Sequence, residues 1–190
     1  MTVDRIASGT GRRARPPRRR LRVVVVLALV ALGSAVALDR AQSHREDTAL
    51  LRCVEHAQLQ VSHALGVVGA VAQYSSPQLS SPQVTLAVRR SLRALVQQSA
   101  GQGVEPVEQQ RAACARTSLR PWHRAQQRAR AAYLAYLDGE REALAALARD
   151  FNAYGVSDAA RSQRKAAART ALLQVLSGTR AERVAALLSP

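Results

Sequence analysis

Between Arg22 and Asp39 the chain carries sixteen consecutive residues without a charge, VVVVLALVALGSAVAL. A helix this apolar on every side must be inserted in lipid, buried in protein, or removed. At 1.5 Å per residue it spans roughly 24 Å, short of the ~30 Å hydrocarbon core of a bilayer. Leu21 and the aliphatic stem of Arg22 narrow that gap. Seven arginines, Arg12, Arg13, Arg15, Arg18, Arg19, Arg20 and Arg22, cluster just before the run. The positive-inside rule therefore predicts a cytoplasmic N-terminus and an extracytoplasmic body.

The same stretch has a second fate. A basic leader, an apolar core, the helix-loosening pair Gly33-Ser34 and then Ala35-Val36-Ala37 together form the pattern of a cleavable signal peptide, with the cut after Ala37. Against cleavage stand the length of the basic leader, Pro16-Pro17 included, and the return of amphipathic patterning soon after Asp39. A retained signal anchor is the expectation. A twin-arginine export signal fits poorly, because Arg22 interrupts the apolar positions that should follow the arginine pair. The expected organisation is a disordered basic cytoplasmic tail over 1–20 held near anionic headgroups, a transmembrane signal anchor (or signal peptide) over 21–38, and an extracytoplasmic helical bundle over 39–190. The localisation expected is the cell membrane, single-pass.

The net charge of +15 is shared between the two parts: Met1–Arg22 carries eight Arg against Asp4, and the remainder carries 20 cations against 12 acids. All but one of the 28 cations are Arg, Lys165 being the sole lysine, and Ala is abundant; this composition is read as codon bias. A sequence pI near 11.6 suggests phosphate neutralisation and hence nucleic-acid binding. That reading requires the apolar run to be a buried core helix of a cytoplasmic protein, and the topology argues against it. No nucleic-acid partner is expected. The membrane is, with another envelope protein or anionic lipid as further partners; homo-oligomerisation is left open.

Strand signals are weak, and Ala, Leu, Gln, Glu and Arg dominate, so the body reads all-α, a bundle of four to five helices. Leu50, Val54, Ala57, Val61, Ala64, Val68 and Val71 form one stripe of a helix over about 41–74. In SSPQLSSPQV the first copy is expected as loop, with Ser81 as N-cap and Pro82 as first residue of a helix reaching about Gln98. That helix would bury Val84, Val88, Leu92 and Leu95 and expose Arg89, Arg90 and Arg93. SAGQG at 99–103 is expected to break the chain, and Glu105-Pro106 to start a third helix. Ser118 and Pro121 mark a fourth, running to Tyr154, with Asp138-Gly139 a candidate interruption. After Gly155, Ser157 caps a helix to about Leu176, and TRAE at 179–182 is a capping box for a last helix ending at Leu188.

Cys53 and Cys114 are the only cysteines, and both follow the apolar run, on the oxidising side of the predicted topology. A single structural disulfide is expected. Neither a C-x-x-C redox motif nor a C-x-x-C-H haem attachment is present, and no G-x-S-x-G, Walker, G-x-G-x-x-G or EF-hand pattern is found. No cofactor is expected. His56 and His63 sit seven residues apart on one face, about 10.5 Å along the axis, too far to chelate one ion unaided, and His44 and His123 add no ligand spacing. No metal is expected.

Five of six aromatics, Trp122, Tyr133, Tyr136, Phe151 and Tyr154, fall on one arc of the fourth helix and read as core. Glu140 falls in the middle of that arc. It is buried if the helix is continuous, with Arg161 or Lys165 as partner, both being in line with Leu172 and Leu176 on the next helix. It turns outward if Gly139 bends the helix, and this is the preferred expectation. Arg116, Arg120, Arg124 and Arg128 make a basic row, and candidate contacts to an anionic surface, if the helix runs through Pro121.

The function expected is that of a membrane-anchored envelope interaction or scaffold protein, with a packed bundle and no pocket around Glu140. The alternative is an exported enzyme or binding protein for an anionic small molecule, released by cleavage after Ala37, with Glu140 as the one candidate acid or base and a pocket where it meets Arg161 and Lys165. Catalysis is not expected.

Overall fold

The computed structural model describes the backbone of residues 18–153 and 158–189. The tail over 1–17, Tyr154, Gly155 and the cap at Ser157 lie outside the described residues. Among those described there are five α-helices and no strand: α1 (Arg18–Ser80), α2 (Leu86–Ala115), α3 (Arg124–Arg149), α4 (Asp158–Leu173) and α5 (Thr179–Leu187), with a 3₁₀ turn at Phe151–Ala153. The chain divides into two units, 1–42 and 43–190.

In the first unit, every side chain from Val23 to Leu38 is exposed, including Leu27, Leu29, Leu32 and Val36. The segment is helical through Gly33, Ser34 and Ala37. Its most apolar 18-residue window has a mean hydropathy of 2.1, and none of it is buried. It is long and apolar enough to cross a membrane.

The second unit is a helical bundle. The stripe of α1 forms one wall of the core: Leu50, Val54, Ala57, Val61, Ala64 and Val68 are all buried, as the three-four spacing predicts. From α2 come Val96, Ala100, Val107 and Cys114; from α3, Tyr133, Tyr136, Leu137, Leu144 and Leu147; from α4, Ala168 and Leu172; from the connection after it, Leu176; and from α5 and its C-cap, Val184 and Leu188. Tyr133 Oη donates to the carbonyl of Val54 at 3.2 Å, so the largest side chain in the core carries its polar atom to a partner. Cys53 and Cys114 stand at disulfide distance, their Cα atoms 5.3 Å apart, and join α1 to α2.

Several boundaries differ from the sequence expectation, each for a visible reason. The first SSPQL copy is helix, and α1 passes Pro77 to end at Ser80. The break falls in the second copy, where Gln83 N donates to Ser81 Oγ at 3.4 Å in a turn and Thr85, not Ser81, caps α2 by accepting from Val88 N. α2 then runs unbroken through SAGQG and Pro106. Ser99, Ala100, Gly103 and Val107 are buried along one side of it. A Cβ on Gly103 would lie 3.1 Å from Ala64 Cβ and 3.4 Å from Leu144 Cδ1, so this glycine lets three helices approach. Packing overrides the local helix-breaking preference. The α2 stripe begins only at Val96: Val88 and Leu95 are 45% and 43% exposed, whereas Arg89 is half-buried and donates to Ser81 O at 2.8 Å. Arg93 lies over the Phe151 ring, 5.7 Å from its centroid. The TRAE capping box does not form. Gly178, at φ 58°, is the N-cap of α5, and Thr179 is its first helical residue.

Candidate functional site

α3 continues through Asp138 and Gly139 as unbroken α-helix. A Cβ on Gly139 would meet Arg164 Nη1 of α4 at 2.8 Å, so the glycine leaves room for the Arg164 side chain to lie against α3. The expectation that Gly139 turns Glu140 outward is thereby corrected: Glu140 is 3% exposed. Arg161 Nη1 stands 3.8 Å from its Oε2, as the in-line placement of Arg161 with Leu172 and Leu176 anticipated.

Around this pair lies a cavity of about 730 Å³. One wall is α4, where Arg161, Lys165 and Arg169 recur at four-residue spacing and so share a face. Tyr136 and Glu140 of α3 and Gln58 of α1 face them, and Leu65 and Leu188 supply apolar surface. Tyr136 Oη donates to Gln58 Oε1 at 3.4 Å. Lys165 Nζ donates to the carbonyl of Ser189. The structure thus brings together Glu140, Arg161 and Lys165 in a pocket, which the expectation of a bundle packed tight around Glu140 did not include.

Both core tyrosines have phenols pushed well above the ordinary value of 10.0. For Tyr133 the cause is burial, followed by the neighbouring Tyr136; for Tyr136 it is burial, followed by the negative charge of Glu140. A raised folded-state value makes the phenols' contribution fully present below pH 10 and progressively lost above it, because the unfolded chain releases protons that the folded chain retains. Stability is therefore expected to fall as pH rises above about 10, with tyrosinate absorbance from these two residues appearing together with the loss of helical circular dichroism. Absorbance rising well before the helical signal changes would contradict this.

The arginine row does not form on one helix. α2 ends at Ala115 and α3 starts at Arg124, leaving Arg116 as the C-cap of α2 and Arg120 in the connection. Pro121 falls within this connection, so no continuous helix carries the row through it. Arg120 stacks over Trp122, 5.2 Å from the ring centroid, while Arg124 and Arg128 remain together beside Pro121 at a shallow depression. Trp122 is 62% exposed and precedes α3, so the core share of the aromatic arc is Tyr133 and Tyr136, with Phe151 half-buried in the 3₁₀ turn.

The connection holds a second polar cluster that the sequence reading missed. Glu46 is buried, accepting from Arg120 N at 3.2 Å through Oε1 and pairing with His123 Nδ1 at 2.5 Å through Oε2. Beside it, Asp47 accepts from Gln126 Nε2 at 3.4 Å and faces Arg180 Nη1 at 3.6 Å. The available signal was spacing: Glu46 sits four residues before Leu50 and eight before Val54, in line with the apolar stripe. Farther along, Arg111 grips Asp138 with two bonds of 2.5 and 3.1 Å, joining α2 to α3, and that hydrogen bond holds the guanidinium more firmly protonated.

His44, His56 and His63 are exposed. No group of three His, Cys, Asp or Glu that could hold a metal stands together among the described residues. No protein-family model matches the chain, and no curated protein or solved structure matches it at a significant level.

Proposed function

We propose that the chain is a single-pass membrane protein whose extracytoplasmic part, residues 39–190, is a disulfide-closed helical bundle acting by non-covalent recognition at the cell envelope. The observation that carries this reading is the segment 23–38: apolar on all sides, helical throughout, and exposed at every position. An apolar helix left in water is unfavourable at roughly 25 cal/mol per Å² of apolar surface, and lipid removes that cost. The arginines before it orient the body outward. The cysteine pair at disulfide distance suits an oxidising compartment.

A second reading, in which the bundle is released after Ala37 as a binding protein for an anionic small molecule, draws on the cavity beside Glu140. The two share the binding role and differ in the fate of the segment. Alkaline phosphatase fused after residue 190 is expected to be active, and a cytoplasm-dependent reporter at the same position inactive. The reverse pattern would refute export and with it both readings.

A further inference from the structure

The cavity on α4 has a charge imbalance that its own contacts leave in place. Three cations, Arg161, Lys165 and Arg169, line it against one carboxylate, Glu140. Glu140 faces Arg161. Lys165 donates to a neutral carbonyl and has no ion pair among the described residues. Arg169 Nε lies buried with no hydrogen-bond partner among the described residues. A buried N–H without an acceptor is unfavourable, and an anion reaching it would gain a charge-assisted bond.

The rest of the lining is not suited to a bare inorganic ion. Leu65, Leu188 and the ring of Tyr136 present apolar surface inside the same recess, and a volume of about 730 Å³ is within the range of sites that enclose a small organic molecule. The concave shape favours a discrete molecule over a flat bilayer surface. Resting on the recognition role given above, we infer that this cavity binds a small organic anion, one acidic group on a compact apolar body. Lys165 and Arg169 hold the acidic group, and Leu65, Leu188 and Tyr136 cover the body. Glu140 is a positioning residue that keeps Arg161 at the cavity wall.

The test uses the full chain in nanodiscs of zwitterionic lipid, titrated calorimetrically against an empty-nanodisc blank. The probes are naphthoate, the cation naphthylmethylammonium, and acetate. Naphthoate is expected to bind saturably, one molecule per chain, with acetate and the cation giving no saturable heat. Lys165→Met and Arg169→Met are each expected to weaken naphthoate by about tenfold, the size of one charge-assisted contact. Arg90→Met, on exposed α2 surface away from the cavity, is expected to leave it unchanged. Ala166→Phe, on an exposed position of the cavity wall, fills the recess without altering charge and is expected to abolish binding. The inference is overturned if the cation binds as tightly as naphthoate, if naphthoate gives no saturable heat with the folded parent chain, or if variants that melt like the parent all bind within about twofold of it. These outcomes leave the fate of the apolar segment untouched, so the ligand and the anchor fail separately.

Discussion

Replacing Cys53 and Cys114 together with Ala is expected to lower the stability of the bundle by about 4 kcal/mol and its melting temperature by roughly 10 °C. The pair closes a loop with a sequence separation of 61 residues, and in the chain-entropy view a cross-link of that span removes much of the freedom of the unfolded chain. It also ties the middle of α1 to the last turn of α2, where Cys114 is buried in the core. Alanine avoids placing a hydroxyl in that apolar site. Differential scanning calorimetry of parent and double variant reads the effect. Equal melting temperatures, or two thiols labelled quantitatively in the folded parent, would contradict it.

Glu46→Ala is expected to cost about 3 kcal/mol, because it removes the carboxylate paired with a half-buried imidazole and an acceptor from Arg120 N at one stroke. Glu46 fastens α1 to the irregular connection between α2 and α3, a segment also held by Gln127 Nε2 donating to the carbonyl of Arg120 and Arg130 donating to the carbonyl of Thr117. Glu46→Gln retains an acceptor for the Arg120 amide and is expected to lose less. A denaturant series on Glu46→Ala, His123→Ala and the double variant checks this. The double variant should lose clearly less than the sum of the singles, with a coupling above about 1 kcal/mol. A Glu46→Ala variant within about 0.5 kcal/mol of the parent would show the pair to be incidental.

The apolar stripe of α1 was legible because a period of 3.6 is written directly into Leu50, Val54, Ala57, Val61, Ala64 and Val68. The cysteine pair was legible from count, Cys53 and Cys114 being the only two cysteines in the chain. What was not legible is where tertiary contact overrules local preference. SAGQG reads as a break, yet Gly103 is where Ala64 and Leu144 close in, and the helix persists because its small residues are needed there. Gly139 reads as a bend and instead lies within continuous helix beneath the Arg164 side chain. The two Ser-Pro pairs are locally alike, and only the fold separates Pro77, inside a helix, from Pro82, in a turn.

The candidate site was half legible. Helical arithmetic places Glu140 within the aromatic arc and Arg161 and Lys165 in line with the apolar residues of the next helix, and in the fold the arc outweighs the bending preference of Gly139. Arg169 was missed although it continues the same four-residue spacing. The cavity itself depends on how α1, α3 and α4 are spaced, and no period in the sequence encodes that distance.

The fate of the apolar segment is decided by one bond, Ala37–Leu38. Membranes from cells making the protein are washed at alkaline pH to strip peripheral material, and the retained chain is analysed by intact mass and N-terminal sequencing. Membrane anchoring predicts a chain that resists the wash and still contains Val23–Ala37. A body that begins at Leu38 and is recovered in the soluble extracytoplasmic fraction would contradict it.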